Sequence, residues 1–228
     1  MRVLVIDVGG THVKLLLSGK RAPRRFDSGK SMTPAKMVKG VKRLTTDWRY
    51  DAISMGYPGL VLHGRIAAEP SNLGHGWVGY DFAQAFGHPM KIQNDAAMQA
   101  LGSYRGGRML FLGLGTGLGS AMVVNGYVQP MELAHLPYKK GRTYEDYVGL
   151  KGFKRLGVRK WRKQVRGVIE TLRAALEPDD VVIGGGNAVR LTELPRGVRA
   201  GDNANAFKGG FRLWRSAKNV LDRTSAAI

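Results

Sequence analysis

The 228-residue chain contains no cysteine. Disulfide staples and cysteine-ligated zinc are therefore excluded, and a reducing compartment is compatible with the composition. Acidic residues are scarce: 17 Asp and Glu stand against 36 Lys and Arg, for a formal net charge of +19. Such a surface draws polyanions through long-range fields. Nucleic acid, an acidic membrane surface and inorganic polyphosphate all answer to it, as does a general surface habit, and charge alone does not choose among them. No apolar run approaches the roughly 18–20 residues that span a bilayer. The apolar start, Met1–Gly10, is interrupted by Asp7 and by Gly9-Gly10, so no export signal is read and the cytoplasm is the expected location. A hydrophobic content of 43% is enough to bury the core of one large domain or two small ones.

Short β-branched runs predict strands at Val3–Asp7, Val13–Leu17, Ala52–Tyr57, Met90–Gln93, Met109–Leu114, Ser120–Val124 and Val181–Ile183. Apolar spacing predicts helices over Pro34–Leu44, Tyr80–Phe86, Asp95–Tyr104 and Trp161–Leu176, with a short one at Asn187–Leu191 and a last one at Phe211–Val220. Lys20–Arg25 reads as a loop or edge, and Gly64–Gly79 as a loop. Strands and helices thus mix throughout, which suits an α/β chain with mixed sheets. A strand–glycine turn–strand unit opens the chain and another opens its second half. This coarse echo puts a boundary near Asn94, with an N-terminal lobe 1–94 and a C-terminal lobe 95–228 whose last helix can return to the first.

Five segments carry chemistry. In Asp7-Val-Gly-Gly-Thr-His-Val-Lys14, the glycines let backbone amides approach an anion, Thr11 adds a hydroxyl, and Asp7 can hold magnesium through water. An ordinary glycine hairpin is the other reading. Gly113-Leu-Gly-Thr-Gly-Leu-Gly119 is neither a Walker loop nor a dinucleotide fingerprint. Its alternating glycines instead present amides and Thr116 from a hairpin tip. Val181–Gly186 followed by Asn187 is a strand running into glycines and a helix start, a geometry suited to a nucleotide. In Gln93-Asn94-Asp95 a carboxylate stands at a strand-to-helix junction, placed either to take a proton from a hydroxyl or to cap the helix. Glu132-Leu-Ala-His135 with Glu145 offers three polar groups to neighbouring hydroxyls, or three surface residues. No H-E-x-x-H occurs, which removes the metalloprotease reading.

In their order these segments resemble the ROK group of sugar kinases and repressors, within the actin-like ATPase superfamily. Asp7–Thr11 looks like its first phosphate motif, Asn94-Asp95-Ala-Ala its catalytic segment, and Leu112–Gly119 its second phosphate motif. Glu132–Leu136 is similar to its sugar segment and Ile183–Gly186 to its adenosine segment. The resemblance implies a two-lobed actin-like, hexokinase-like fold with ribonuclease H-like lobes. It implies Asp95 as general base, and Asn72, Asn94, Glu132, His135 and Glu145 as sugar contacts. Gly9, Gly10, Thr11, Lys14, Gly115, Thr116 and Gly117 would take the donor phosphates, and Gly184, Gly185, Gly186 and Asn187 the nucleotide. Magnesium, a homodimer, a small-molecule sugar and an ATP or polyphosphate donor come with it. The family's cysteine-rich zinc motif is missing, so zinc is not expected, and Ala134 stands where a glycine is usual. The first strand begins at once, which leaves no room for a repressor's DNA-binding helices in front of it.

Size and the Glu132–Glu145 segment are similar to the polyphosphate glucokinases of that group. A stripe of basic residues from Lys139 to Arg173, opposed by Glu145, Asp146 and Glu170, can track a polyphosphate chain or be a solvated helix face. A non-catalytic sugar- or nucleotide-binding regulator on the same fold is the competing reading. A nucleic-acid binder ranks last, because no stacking motif accompanies the charge.

Overall fold

The computed structural model describes residues 1–215. They divide into two units, Met1–Met98 with Ala206–Arg215, and Gln99–Asn205. The expected boundary at Asn94 lies one helical turn before the observed passage at Met98.

The first unit opens with β1 (Val3–Val8) and β2 (His12–Leu17), followed by β3 (Arg24–Asp27), α1 (Pro34–Leu44) and β4 (Ala52–Tyr57). A small hairpin, β5 (Val61–Leu62) and β6 (Arg65–Ile66), leads to α2 (Phe82–Phe86) and β7 (Met90–Asn94). The sheet order is β3-β2-β1-β4-β7, with β1, β4 and β7 parallel and the β1–β2–β3 meander antiparallel. α1 starts where the sequence says it must. Thr33 accepts the Lys36 N–H at 3.4 Å, and Pro34 occupies the first helical position, where its missing N–H costs nothing. Met37, Val38 and Val41 pack on Leu4, Ile6 and Val8 of β1. Alternation along β1 turns Val3, Val5 and Asp7 to the opposite face.

α3 (Asp95–Ser103) carries the chain into the second unit, which contains β8 (Arg108–Leu114), β9 (Leu118–Val124) and β10 (Tyr127–Met131). After a 3-10 turn at Leu133–His135 come α4 (Tyr144–Val148), α5 (Leu150–Leu176), β11 (Asp180–Gly184), a 3-10 turn at Ala188–Arg190, and β12 (Val198–Ala200). The order β10-β9-β8-β11-β12 repeats the mixed plan, with β8, β11 and β12 parallel. Trp161, Val165, Val168, Ile169 and Leu172 of α5 cover Leu110, Leu112 and Ile183. Each unit is thus an α/β layer on a five-stranded mixed sheet, the class that the sequence predicts.

The departures are local. α5 begins at Leu150 rather than Trp161, broken at Gly157 (φ 72°, ψ 161°). Of the loop or edge read at Lys20–Arg25, the last two residues open the edge strand β3, and β5, β6, β10, α4 and β12 were not foreseen. The final helix, α6 (Asn205–Arg212), starts six residues before the expected Phe211. The remainder of that expectation, 216–220, lies outside the described residues.

α6 returns to the first unit, where Ala206 and Phe207 pack on Val3, Val5 and Met98. One fully buried hydroxyl ties the contact. Ser54 Oγ donates to Gly210 O at 2.6 Å and accepts Trp214 Nε1–H at 2.9 Å. Ser54→Ala leaves both partners unpaired at this contact. It is expected to cost about 1–3 kcal/mol, read as a lowered urea midpoint by tryptophan fluorescence.

Candidate active site

In the first unit the predicted residues converge on the carboxyl ends of the parallel strands, the usual ligand side of such sheets. The register aligns Asp7 with Gly56 and Gly56 with Gln93, so Asn94 and Asp95 lie just beyond Asp7 at the same end. Two strand spacings separate β1 from β7, about 10 Å. Gly56 lies between them. A Cβ placed there would be 3.6 Å from the Asp95 Cα and would collide with Met98, so the missing side chain lets α3 start flat against β4. Asp7 and the first turn of α3 therefore share one face of the sheet.

The sequence left open whether Asp95 is only a helix cap. Asn94 takes that part: its Oδ1 accepts the Ala97 N–H at 3.1 Å, while its Nδ2 donates to Gly59 O at 3.0 Å. Asp95 is half-buried, and its Oδ1 accepts the Ala96 N–H at 2.7 Å.

The first glycine turn closes through Gly9 N–H to His12 O at 3.0 Å. Gly9 therefore shapes the turn, and the amides of Gly10 and Thr11 have no partner among the described residues. Ser28, which the sequence reading passed over, holds two of the turn's carbonyls. Its hydroxyl donates to Gly9 O, and its N–H to Thr11 O at 2.9 Å. The Asp27-Ser-Gly29 turn signal was its only mark in the sequence. Asn72 packs its side chain on Gly10. The loop that carries it is closed by Glu69, which accepts the N–H groups of Trp77 at 3.2 Å and Val78 at 3.0 Å. These backbone donors, Val78 first, hold the Glu69 carboxyl below its usual range.

Asp7 is buried, with Lys14 Nζ 3.7 Å from its carboxylate. Burial pushes its carboxyl up, and Lys14 partly opposes that. Among the described residues no group of three or more His, Cys, Asp or Glu is placed to hold a metal. A lone carboxylate beside an anion turn fits magnesium held mainly by donor phosphates and water.

In the second unit, the turn at Gly115–Gly117 and the segment Gly184–Asn187 come together. β8 and β11 pair Gly113 with Gly184. Gly185 has φ 84° and backs onto the Leu114 main chain, where no side chain fits. Asn187 then binds the turn twice, N–H to Leu114 O and Nδ2 to Gly115 O, both at 2.8 Å. The Leu150 N–H takes Thr116 O at 3.0 Å, and Gly115 N–H closes the turn onto Gly117 O at 3.1 Å. Glu145 accepts the Leu118 N–H at 3.3 Å, its carboxylate filling the space beside Gly117. It therefore stands at the phosphate-type turn. Glu132 and His135 are exposed and 3.6 Å apart, on the 3-10 turn that precedes α4.

The raised Asp7 carboxyl has a consequence for stability. A carboxyl whose folded pKa lies above its unfolded value binds more protons when folded, so the chain loses stability as pH rises through that interval. Asp7→Asn removes the buried charge. It is expected to raise the thermal midpoint at pH 7, with the gain shrinking as pH falls towards the ordinary carboxylate value of 3.8. Calorimetry from pH 3.5 to 7.5 checks this.

The polyphosphate glucokinase of Mycobacterium tuberculosis is 29% identical over 79% of this chain and 76% of its own length. The inorganic polyphosphate/ATP-glucomannokinase of Arthrobacter sp. strain KM superposes with a TM-score of 0.78 at 20% identity, covering 97% of this chain and 99% of that one. A ROK family transcriptional regulator, a homologue of the E. coli MLC protein, superposes at 0.70 and 14% identity, covering 98% and 79%. These likenesses show the actin-like fold of the ROK sugar kinases. The ROK family model itself matches residues 3–130, more than half of the sequence, and the chain belongs to the ROK family.

Proposed function

We propose that the chain is a sugar kinase that moves a phosphoryl group from polyphosphate or ATP to a hexose hydroxyl, with glucose giving glucose 6-phosphate. The observation that carries this reading is the placement of Asp95. It opens α3 on the sheet face that also carries Asp7, while Asn94 does the capping. In this reading Asp95 accepts the proton of the sugar hydroxyl. That oxygen bonds to the terminal phosphorus as the bond to the bridging oxygen breaks, leaving ADP or a polyphosphate one phosphate shorter.

Positioning and charge neutralisation supply most of the acceleration in such a transfer. The amides of Gly10, Thr11, Thr116 and Gly117 are assigned to the donor phosphates, with Lys14 beside Asp7. Gly184–Asn187 is assigned to the nucleotide end when ATP is the donor. Asn72, Asn94, Glu132 and His135 are assigned to the sugar, and Glu145 to the sugar side of the second turn. Magnesium, held by Asp7 through water, would neutralise donor charge. The named relatives support polyphosphate and ATP as donors.

A second reading, a sugar-responsive regulator without turnover, is favoured by the likeness to a ROK transcriptional regulator. A coupled assay of glucose phosphorylation, with ATP and polyphosphate tested separately, divides the two. Turnover with either donor is expected. Glucose binding by calorimetry with no product from any donor selects the regulator. Asp95→Asn is expected to lower kcat by about 10²- to 10⁴-fold with an unchanged circular dichroism spectrum, and parental turnover in that variant removes the base assignment.

A further inference from the structure

The second unit carries a pocket that the proposed transfer chemistry does not use. It holds about 310 Å³ between α5 and the segment after the Ala188–Arg190 turn, with Arg162, Lys163, Arg166 and Glu193 at its rim. Its floor includes Val165 and Ile169, each 2% exposed and part of the core under α5. Leu191, Thr192 and Pro195 complete the lining, and the three cations of the rim favour a chain of phosphates as the occupant.

The rim is joined to the second phosphate turn through hydrogen bonds. Asn187 Nδ2 donates to Gly115 O at 2.8 Å, and Asn187 Oδ1 accepts Arg190 Nε–H at 3.0 Å. Arg190 O in turn accepts Arg162 Nε–H at 2.7 Å. Arg166 follows Arg162 by one turn of α5, about 6 Å along the helix axis. A chain of hydrogen bonds thus runs from Gly115 through Asn187 and Arg190 to Arg162, which lines the pocket with Lys163 and Arg166. Three arginines of the stripe have structural duties: Arg155 holds Asp146 O at 2.6 Å, Arg162 holds the 190 carbonyl, and Arg173 holds Arg196 O at 2.8 Å. Arg166 is different. Among the described residues it meets only a carboxylate at 3.8 Å, Glu193, whose side chain is 82% exposed. An exposed pair of that length is weak, and a polyanion displaces it readily.

We infer that this pocket is an accessory anion subsite for the trailing phosphates of a long polyphosphate, with Glu193 as a displaceable plug. The inference rests on the polyphosphate-donor reading above. It makes two predictions of opposite sign. Lys163→Glu/Arg166→Glu is expected to weaken binding of long-chain polyphosphate by at least about tenfold and to flatten its salt dependence, as loss of phosphate contacts does for other polyanions. Binding of tripolyphosphate and ATP stays unchanged. Glu193→Gln is expected to tighten long-chain binding. Calorimetry of the full chain with each of the three ligands, at two salt concentrations, reads all of this. Lys39→Glu/Lys42→Glu, on exposed positions of α1 in the first unit, matches the change in net charge away from the pocket.

Equal weakening by that control, parallel loss of tripolyphosphate and ATP binding, or unchanged or weaker long-chain binding in Glu193→Gln would each overturn the inference. The donor reading fails separately, if the parent chain yields no sugar phosphate from any donor. The binding comparison still decides the pocket in that case.

Discussion

A glycine turn offers its amides to an anion best when its carbonyls are bound elsewhere, since a free carbonyl oxygen can face the same ligand with the wrong charge. The second turn of this chain meets that condition at all three carbonyls and the first at two of three. In the first unit Ser28 takes Gly9 O with its hydroxyl and Thr11 O with its N–H. In the second, Asn187 takes Leu114 O and Gly115 O while Leu150 takes Thr116 O. One amide in each turn, Gly9 and Gly115, closes the loop. The following two residues in each case, Gly10-Thr11 and Thr116-Gly117, have backbone amides with no partner among the described residues. The same solution appears twice, built from different side chains. That points to a shared physical demand rather than to a shared sequence.

Asp7 shows the cost of such a site. A carboxylate buried at the end of β1 is held at an energetic loss, which Lys14 at 3.7 Å relieves in part. The fold does not need the charge, because hydrophobic neighbours on the same face of β1 already bind α6. A buried carboxyl that weakens the fold when ionised fits the general trade between stability and function.

Much of the fold was legible because local signals agreed with tertiary ones. Pro34–Leu44 has a cap, a proline at its first position and a buried stripe, and it forms as read. Elsewhere the local pattern fell short. No strand was read over Tyr127–Met131, yet β10 forms there as an edge strand, where Pro130's missing N–H is tolerated. The last helix was expected to start at Phe211. It starts at Asn205 and runs through Gly209-Gly210, where Gly210 O accepts the Ser54 hydroxyl from far away in sequence. The candidate site was legible as residue types but not as partnerships. Spacing could suggest that Asn94 or Asp95 caps α3, and only the Ala97 N–H decides for Asn94. Nothing in spacing could pair Asn187 with Gly115 across 72 residues, or set Glu145 beside Gly117.

The unbalanced charge has a structural side as well. With 36 basic and 17 acidic residues, most guanidinium and ammonium groups have no carboxylate to meet. Three arginines of α5 instead donate to backbone carbonyls, Arg155 to Asp146, Arg162 to Arg190 and Arg173 to Arg196, whereas Arg24 and Arg199 bind a carbonyl and a carboxylate together, Leu44 O with Asp47 and Ser103 O with Asp180. Arg155 and Arg190 also lie over the rings of Tyr147 and Phe153, at 4.8 Å and 4.5 Å. A carbonyl or a ring satisfies a guanidinium's geometry without cancelling its charge. The chain can therefore use arginine to fasten loops and still keep its positive field. A carboxylate partner would fasten the same loops and remove the field. The choice of carbonyls over carboxylates thus gives the basic face of α5 a structural role and leaves it attractive to a phosphate polyanion at the same time.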